Sequence, residues 1–256
     1  MAYETLLIRR EGAVAWVTLN RPPANAINMQ MCNELIALLD ELETDANVQG
    51  LVLTGRKGMF SAGLDIIALR KLNRGAMTLF WTRFCQTFGR LWATPLTTAA
   101  AISGHSPAGG CVLSLACDYR AMAAGEYKIG LNEVAVGLPV PDFLCQVHAR
   151  TVGNRNAERL LQFGTMVQPA EALAIGLVDA VVEHDELAPL VSNVLAQRLK
   201  APPAARAATK RNLRRWLVEE MDANLAAQVE ELADGWFSDE CTTVMGALIA
   251  KLTARR

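Results

Sequence analysis

An α/β domain with parallel central strands is the fold class this sequence predicts. Two patterns carry the prediction: the short apolar runs Gly50 to Thr54 and Thr97 to Ile102, each followed by a glycine-bearing turn, and helical spacing of apolar residues in the stretches between them. The third observation is size. A chain of 256 residues, 52 % hydrophobic and 20 % charged, can bury one large core and still carry a helical appendage.

Thr5 to Ile8 and the alternating Val14, Trp16 and Leu19 read as an opening antiparallel hairpin turning at Glu11-Gly12. After the breaker-rich Arg21-Pro22-Pro23-Ala24-Asn25, Met31, Leu35, Leu38, Leu39 and Leu42 recur at helical intervals with acids between them, the pattern of a helix packed on a sheet. Gly50 to Thr54 follows as a buried strand. The same order then recurs, with a helix over Met77 to Trp92 and a strand over Thr97 to Ile102. A turn opened by Gly104 runs into the apolar stretch Cys111 to Ala116, and a strand follows over Tyr119 to Ala123. From Asp142 helices dominate, apart from one strand expected at Val178 to Val182. Pro202-Pro203 marks a boundary, which divides the chain into an α/β core over 1–200 and a helical region over 201–256. Three helices are predicted there: Ala204 to Trp216, Met221 to Leu232 and Glu240 to Leu252.

Composition narrows the function classes. The formal net charge of −1 provides no general attraction for nucleic acid, and the one basic cluster, Lys210-Arg211 with Arg214-Arg215, has the spacing of a solvated helix face. Six cysteines scattered among apolar residues read as reduced thiols, and three dispersed histidines offer no ligand cluster, so no metal is expected. Apolar runs such as Leu96 to Ile102 are too short to span a bilayer, and the amino terminus has no targeting pattern. The expected location is a bacterial cytoplasm, with a processed protein of the mitochondrial matrix as the alternative.

Three segments stand out chemically. In Phe60-Ser61-Ala62-Gly63-Leu64-Asp65 a glycine free to take positive φ leaves the next N–H, that of Leu64, available to a ligand, although an ordinary turn has the same sequence. In Gly104-His105-Ser106-Pro107-Ala108-Gly109-Gly110 the small residues allow close passage of backbone at a helix start, with Gly109 as a second donor; close helix packing explains them equally well. Glu133, among Ile129, Leu131, Val134, Val136 and Leu138, is either half of a structural ion pair or a carboxylate kept in an apolar pocket, where burial would suit it to act as a base. Asn132 beside it either orients a polar ligand group or caps a turn. Two fixed backbone donors and one base suit a reaction in which negative charge develops on an oxygen.

In combination these segments resemble the crotonase family, the enoyl-CoA hydratase and isomerase superfamily, over nearly the whole chain. Phe60 to Ile66 is similar to its first oxyanion-hole motif. Ile102-Ser103-Gly104 through Ala108-Gly109-Gly110-Cys111, with Ala116-Cys117-Asp118-Tyr119-Arg120, is similar to its second. Ile129 to Leu138 matches the segment carrying its last catalytic acid, and Gln168 to Ala172 with Gly176 to Asp179 a later stretch. The resemblance implies a spiral of ββα units with a carboxyl-terminal helical region, assembled as a homotrimer or a dimer of trimers. It also implies acyl-CoA thioester substrates, coenzyme A being part of the substrate and no separate cofactor being needed. Glu133, Leu64 and Gly109 would be catalytic, and Ala24, Ala26, Ala62, Gly63, Leu64, Asp65, Ile66, Gly109 and Asn132 would bind substrate. A contact of the cluster near Lys210 with a coenzyme A phosphate is a weaker implication. Phe80, Trp81, Phe84, Leu138 and Phe143 are candidates for setting acyl-chain length.

One departure from the family pattern is informative. Hydratases of the family carry a glutamate two residues after the last glycine of the second turn, where this chain has Val112. Adding water needs two groups to handle protons, whereas moving a double bond needs one. The motifs resemble most the mitochondrial-type 3,2-trans-enoyl-CoA isomerase subgroup, with Ser106 where that subgroup has cysteine before Pro107. The implied reaction converts 3-enoyl-CoA into 2-trans-enoyl-CoA in fatty acid β-oxidation. The alternatives are another one-carboxylate reaction of the family, such as weak hydration or thioester hydrolysis, and a catalytically silent acyl-CoA-binding protein.

Overall fold

The computed structural model describes residues 3–254. The chain opens with β1 (Leu6–Glu11) and β2 (Val14–Leu19), paired antiparallel with Leu6 opposite Leu19 and Glu11 opposite Val14. Helix α1 (Met29–Thr44) follows, capped by Asn28, whose Oδ1 accepts from the Met31 amide at 3.0 Å. Then come β3 (Gly50–Thr54), β4 (Gly58–Met59), the single-turn α2 (Ile66–Leu69) and the long α3 (Arg74–Ala93). Strands β5 (Thr97–Ile102) and β6 (Gly104–Pro107), helix α4 (Gly109–Leu115), β7 (Tyr119–Ala123) and β8 (Ile129–Gly130) complete the central part.

The larger sheet has the order β1-β2-β3-β5-β7 and ends on β9 (Ala180–Val182); every pairing after the opening hairpin is parallel. Its central strands β3 and β5 are buried on both faces, as parallel sheets require, while the edge strand β1 is largely exposed. Leu51 and Leu53 join the main core under α1 and α3, while the alternate residue Val52 faces the other side, where Leu187, Val191 and Leu195 of α8 (His184–Arg198) close over Trp16, Ala99, Ala101 and Tyr119. A second small parallel sheet, β4-β6-β8, stacks the three segments that carry the candidate motifs side by side. It was not anticipated: Gly104 was expected to open a turn, yet Gly104 and His105 pair with Gly58 and Met59 before the chain turns at Ala108.

Helices α5 (Asp142–Val152), α6 (Asn154–Leu161) and α7 (Pro169–Ala174) connect β8 to β9. Beyond Pro202 the chain forms α9 (Pro203–Phe237) and α10 (Asp239–Thr253). The first two helices predicted for this region are one. Leu217-Val218-Glu219-Glu220 contains no breaker, and Leu217 and Met221, both buried and one turn apart, carry the same apolar face straight across the expected gap.

The basic cluster also departs from expectation. Arg211 and Arg215 are exposed, but Lys210 and Arg214 turn inward onto Asp118, with Lys210 Nζ 2.9 Å from Oδ2 and an Arg214 guanidinium nitrogen 2.8 Å from Oδ1. Lys210 also donates to the Leu96 carbonyl, and Arg214 to those of Trp92 and Ala116. Burial pushes both cations toward the neutral form and the Asp118 charge opposes it. The cluster anchors α9 to the core. No helix of the described residues is long and apolar enough to cross a membrane, and they contain no group of three metal-ligating side chains.

Candidate active site

The first turn leaves β4 and enters α2. Asn25, buried, donates through Nδ2 to the Phe60 carbonyl, and Ser61 Oγ donates to the Asn25 carbonyl at 2.7 Å. Three backbone bonds complete the join between this turn and the loop at 24–27: Ala62 N–H to Ala24 O, Ile27 N–H to Gly63 O, and Asp65 N–H to Ile27 O. Gly63 has φ of 83°, a conformation that favours glycine. Asp65 is occupied structurally. Its Oδ1 caps α2 by accepting from the Ala68 amide, and its Oδ2 lies 2.6 Å from Arg21.

The second turn leaves β6 and enters α4 through Ala108, a non-glycine residue at φ 45°. That conformation costs on the order of 1–3 kcal/mol and persists only where the surroundings impose it. Here they do: the Ala108 amide donates to Gly130 O in the neighbouring strand, and its carbonyl accepts from Val112. Neither the Leu64 amide nor the Gly109 amide donates a hydrogen bond to any described residue. Both residues line one cavity of about 470 Å³.

Glu133 enters the same cavity at the start of a 3-10 turn, Val134–Val136, just after β8. Its backbone carbonyl accepts from Val136 and Leu138, which fixes the turn, while Oε2 is buried with no partner. Burial pushes the carboxyl up to about 7, against a smaller lowering by its own backbone N–H. Of the two alternatives, the structure favours the apolar pocket over the ion pair: no cation among the described residues pairs with Glu133. Asn132, also in the lining, leaves Oδ1 buried and unpartnered.

Among the lining residues only Asp65 and Glu133 are ionisable acids, and none is histidine, lysine or arginine. With Asp65 held by Arg21, Glu133 is, among the described residues, the one carboxylate of the wall without a cationic partner. Val112 is buried in the main core, outside the lining.

Ala24, Ala26, Ala62, Leu64, Asp65, Ile66, Gly109, Asn132 and Glu133 all line the cavity, so the structure brings together residues spread over more than a hundred positions. Gly63 does not; it is packed beneath, against Pro107 and Ala108. Of the residues proposed for chain length, Trp81, Phe84, Leu138 and Phe143 are in the wall, but Phe80 is not. Trp81, Phe84 and Cys85 share one face of α3, and Phe80 is rotated off it into the core. Lys210 is not among the residues of this lining; it lines a separate cleft with Asp118 and Arg206 and is paired with Asp118. Sequence reasoning missed the contribution of the carboxyl-terminal helices: Leu232, Trp236, Met245, Leu248 and Leu252 close the cavity.

Two amides without described acceptors and a buried carboxylate lining one cavity of a mostly parallel α/β fold suit an enzyme that moves a proton while negative charge develops on an oxygen, and the comparisons name the family. The family model for enoyl-CoA hydratase/isomerase matches residues 9–247, and the chain belongs to that family. It is similar to the mitochondrial enoyl-CoA delta isomerase 1 of Rattus norvegicus, 34 % identical over 98 % of this chain and 88 % of the relative. It is also similar to the short-chain-enoyl-CoA hydratase of Clostridium acetobutylicum, 30 % identical over 98 % of this chain and 97 % of the relative. The crystal structure of human mitochondrial delta3-delta2-enoyl-CoA isomerase superposes with a TM-score of 0.96 at 32 % identity, covering 99 % of this chain and all of that one.

Proposed function

We propose that this protein is a 3-enoyl-CoA to 2-trans-enoyl-CoA isomerase in which Glu133 is the single base and acid. The carrying observation is that, among the described residues, Glu133 is the one carboxylate of the cavity wall without a cationic partner, with its carboxyl raised by burial to about 7. A base poised near neutral pH takes a proton efficiently and returns it efficiently. In the proposed reaction Glu133 removes a proton from C2 of the 3-enoyl thioester. The electron pair moves through the C3–C4 double bond system to give a dienolate, whose thioester oxygen carries the charge. The Leu64 and Gly109 amides stabilise that oxygen, and removing one such donor typically lowers turnover about 10²–10³-fold. Glu133 then delivers the same proton to C4, leaving the double bond between C2 and C3. Atoms balance without water, so no second carboxylate is required.

The coenzyme A arm is proposed to leave along Pro23, Ala24 and Ala26. A second cleft of about 310 Å³ shares those residues and adds Lys71, a cation suited to phosphate, beside Arg21, which is already paired with Asp65. Assembly into a homotrimer is part of the same proposal and is checked by light scattering.

The direct test is incubation of wild type and Glu133→Gln with 3-hexenoyl-CoA, with products separated by chromatography. Formation of 2-trans-hexenoyl-CoA by wild type alone supports the proposal. Conversion by both proteins assigns the proton to another group, and retained binding without conversion favours a silent binding protein.

A further inference from the structure

Arg70 lies outside the cavity lining, on the residue that ends α2, directly after the first oxyanion turn. Among the described residues it has no carboxylate partner. One guanidinium nitrogen donates to the Trp236 carbonyl at 2.6 Å, another to Thr242 Oγ1 at 2.9 Å, and the guanidinium carbon stands 5.5 Å from the centre of the Trp236 ring. Trp236 is in the last turn of α9, where carbonyls lack helical partners and the helix dipole favours a cation; Thr242 is in the first turn of α10. Arg70 thus clamps both sides of the α9–α10 corner.

That corner is part of the cavity wall. Trp236 is fully buried, meets Trp81 edge-on with ring centres 5.9 Å apart, and with Leu232, Met245 and Leu248 supplies apolar wall from the carboxyl-terminal helices. The corner is seated as closely on the loop behind Glu133: a Cβ on Gly137 would lie 2.9 Å from the Cys241 Cα. Arg70 supplies two hydrogen bonds from the end of α2 to the corner, and the nearby pairs from Arg74 to Glu230 and Asp234 are solvent-exposed and of low worth.

We infer that Arg70 is a positioning residue for acyl-chain selectivity: by clamping Trp236 it holds the apolar wall against which the far part of a long acyl chain packs. The inference rests on the acyl-CoA reading of the cavity. A short acyl group is held at the amides and Glu133 and makes little use of this wall, whereas a longer chain must bury its methylenes on it, at about 0.8 kcal/mol each.

The test is the affinity of two saturated esters, butanoyl-CoA and decanoyl-CoA, which bind without being isomerised, measured by calorimetry on wild type, Arg70→Met, Arg70→Lys, Trp236→Ala and the Arg70→Met/Trp236→Ala double variant. Arg70→Met is expected to lower the decanoyl-to-butanoyl affinity ratio about tenfold. Arg70→Lys, which keeps one donor but not the fork, is expected to recover part of the loss. In the Trp236→Ala background Arg70→Met should change the ratio no further, because its effect passes through that ring. Thr242→Val, a milder change of the same clamp, should shift the ratio in the same direction by about twofold and covers the case in which Arg70→Met does not fold. An unchanged ratio in Arg70→Met and Thr242→Val, or an additive double variant, overturns the inference. Wild type that binds neither ester overturns the acyl-CoA reading itself.

Discussion

A Cβ placed on Gly63 would stand 3.3 Å from the amide nitrogen of Gly109, and 3.1 Å from both the Pro107 carbonyl oxygen and the Ala108 Cβ. The two turns that carry the unpaired amides are therefore packed backbone to backbone, with glycine as the spacer, and Gly63 also holds φ at 83°. Gly63→Ala must adopt an unfavourable conformation, at about 1–2 kcal/mol, and push the turns apart. Because oxyanion donors act only at the right distance, kcat/KM for 3-hexenoyl-CoA is expected to fall about 10²-fold or more, with a small drop in Tm. A variant that loses Tm but keeps kcat/KM would separate the turn's packing from the chemistry.

The raised carboxyl of Glu133 predicts two pH dependences. Proton abstraction needs the ionised form, so isomerisation should fall as pH drops below about 7, tenfold per unit. Stability runs the other way. The folded-state carboxyl sits above its ordinary value, so the neutral acid is favoured by folding; that contribution is complete below the unfolded pKa near 4.5 and is lost as pH rises through about 7. Glu133→Gln removes the ionisation. The Tm difference between Glu133→Gln and wild type should grow from pH 4.5 to 7 and then level off, as read by thermal unfolding across that range.

The central strands were legible because they are fully buried. Thr97 to Ile102, uncharged throughout, and Tyr119 to Ala123, apolar except for Arg120, are short runs with the bounds the structure has. The β4-β6-β8 sheet was not, since strands of two to four residues are too short to show any period and are defined by partners distant in sequence. Positive φ at Gly63 was readable from glycine; at Ala108 it was not, because alanine enters that region only under constraint from Gly130 and α4. Glu133 was visible as a charge in an apolar segment, but its lack of a partner is a fact of three dimensions. The inward turn of Lys210 and Arg214 depends on Asp118, some ninety residues earlier, whereas helical spacing alone pointed to a solvated face.

Hydration is the sharpest competing activity. Water addition to 2-trans-butenoyl-CoA would need a second proton-handling group, and Asp65 is taken by Arg21 while Val112 is buried in the core. Wild type is expected to hydrate that ester at least about a hundredfold more slowly than it isomerises 3-hexenoyl-CoA, the usual scale of one general acid–base contribution. Comparable rates measured side by side would show that Val112 does not discriminate the two reactions.

Lys71, exposed beside the second cleft next to Asp65, tests the proposed path of the coenzyme A arm. Lys71→Ala should raise KM for acyl-CoA severalfold at low salt and change kcat far less, since the interaction is equal in ground and transition states. The effect should shrink at high ionic strength, where exposed charges are screened. An effect on kcat alone would place Lys71 elsewhere in the cycle.

The anchor of the carboxyl-terminal helices makes the last prediction. Asp118 accepts from the Thr98 amide at 2.8 Å and neutralises Lys210 and Arg214, both with side chains less than a fifth exposed. Asp118→Ala leaves two buried cations facing each other without a counter-charge, so unfolding free energy should drop by about 3–5 kcal/mol in urea titrations. The loss comes from the uncompensated charges more than from the missing attraction. Asp118→Ala/Lys210→Met should accordingly be more stable than Asp118→Ala alone, because one stranded cation has been removed and its stem kept. A double variant weaker than the single would assign the stability of α9 to the Lys210 bond with the Leu96 carbonyl instead, and the cavity wall built by Trp236 and Met245 would then depend on that contact.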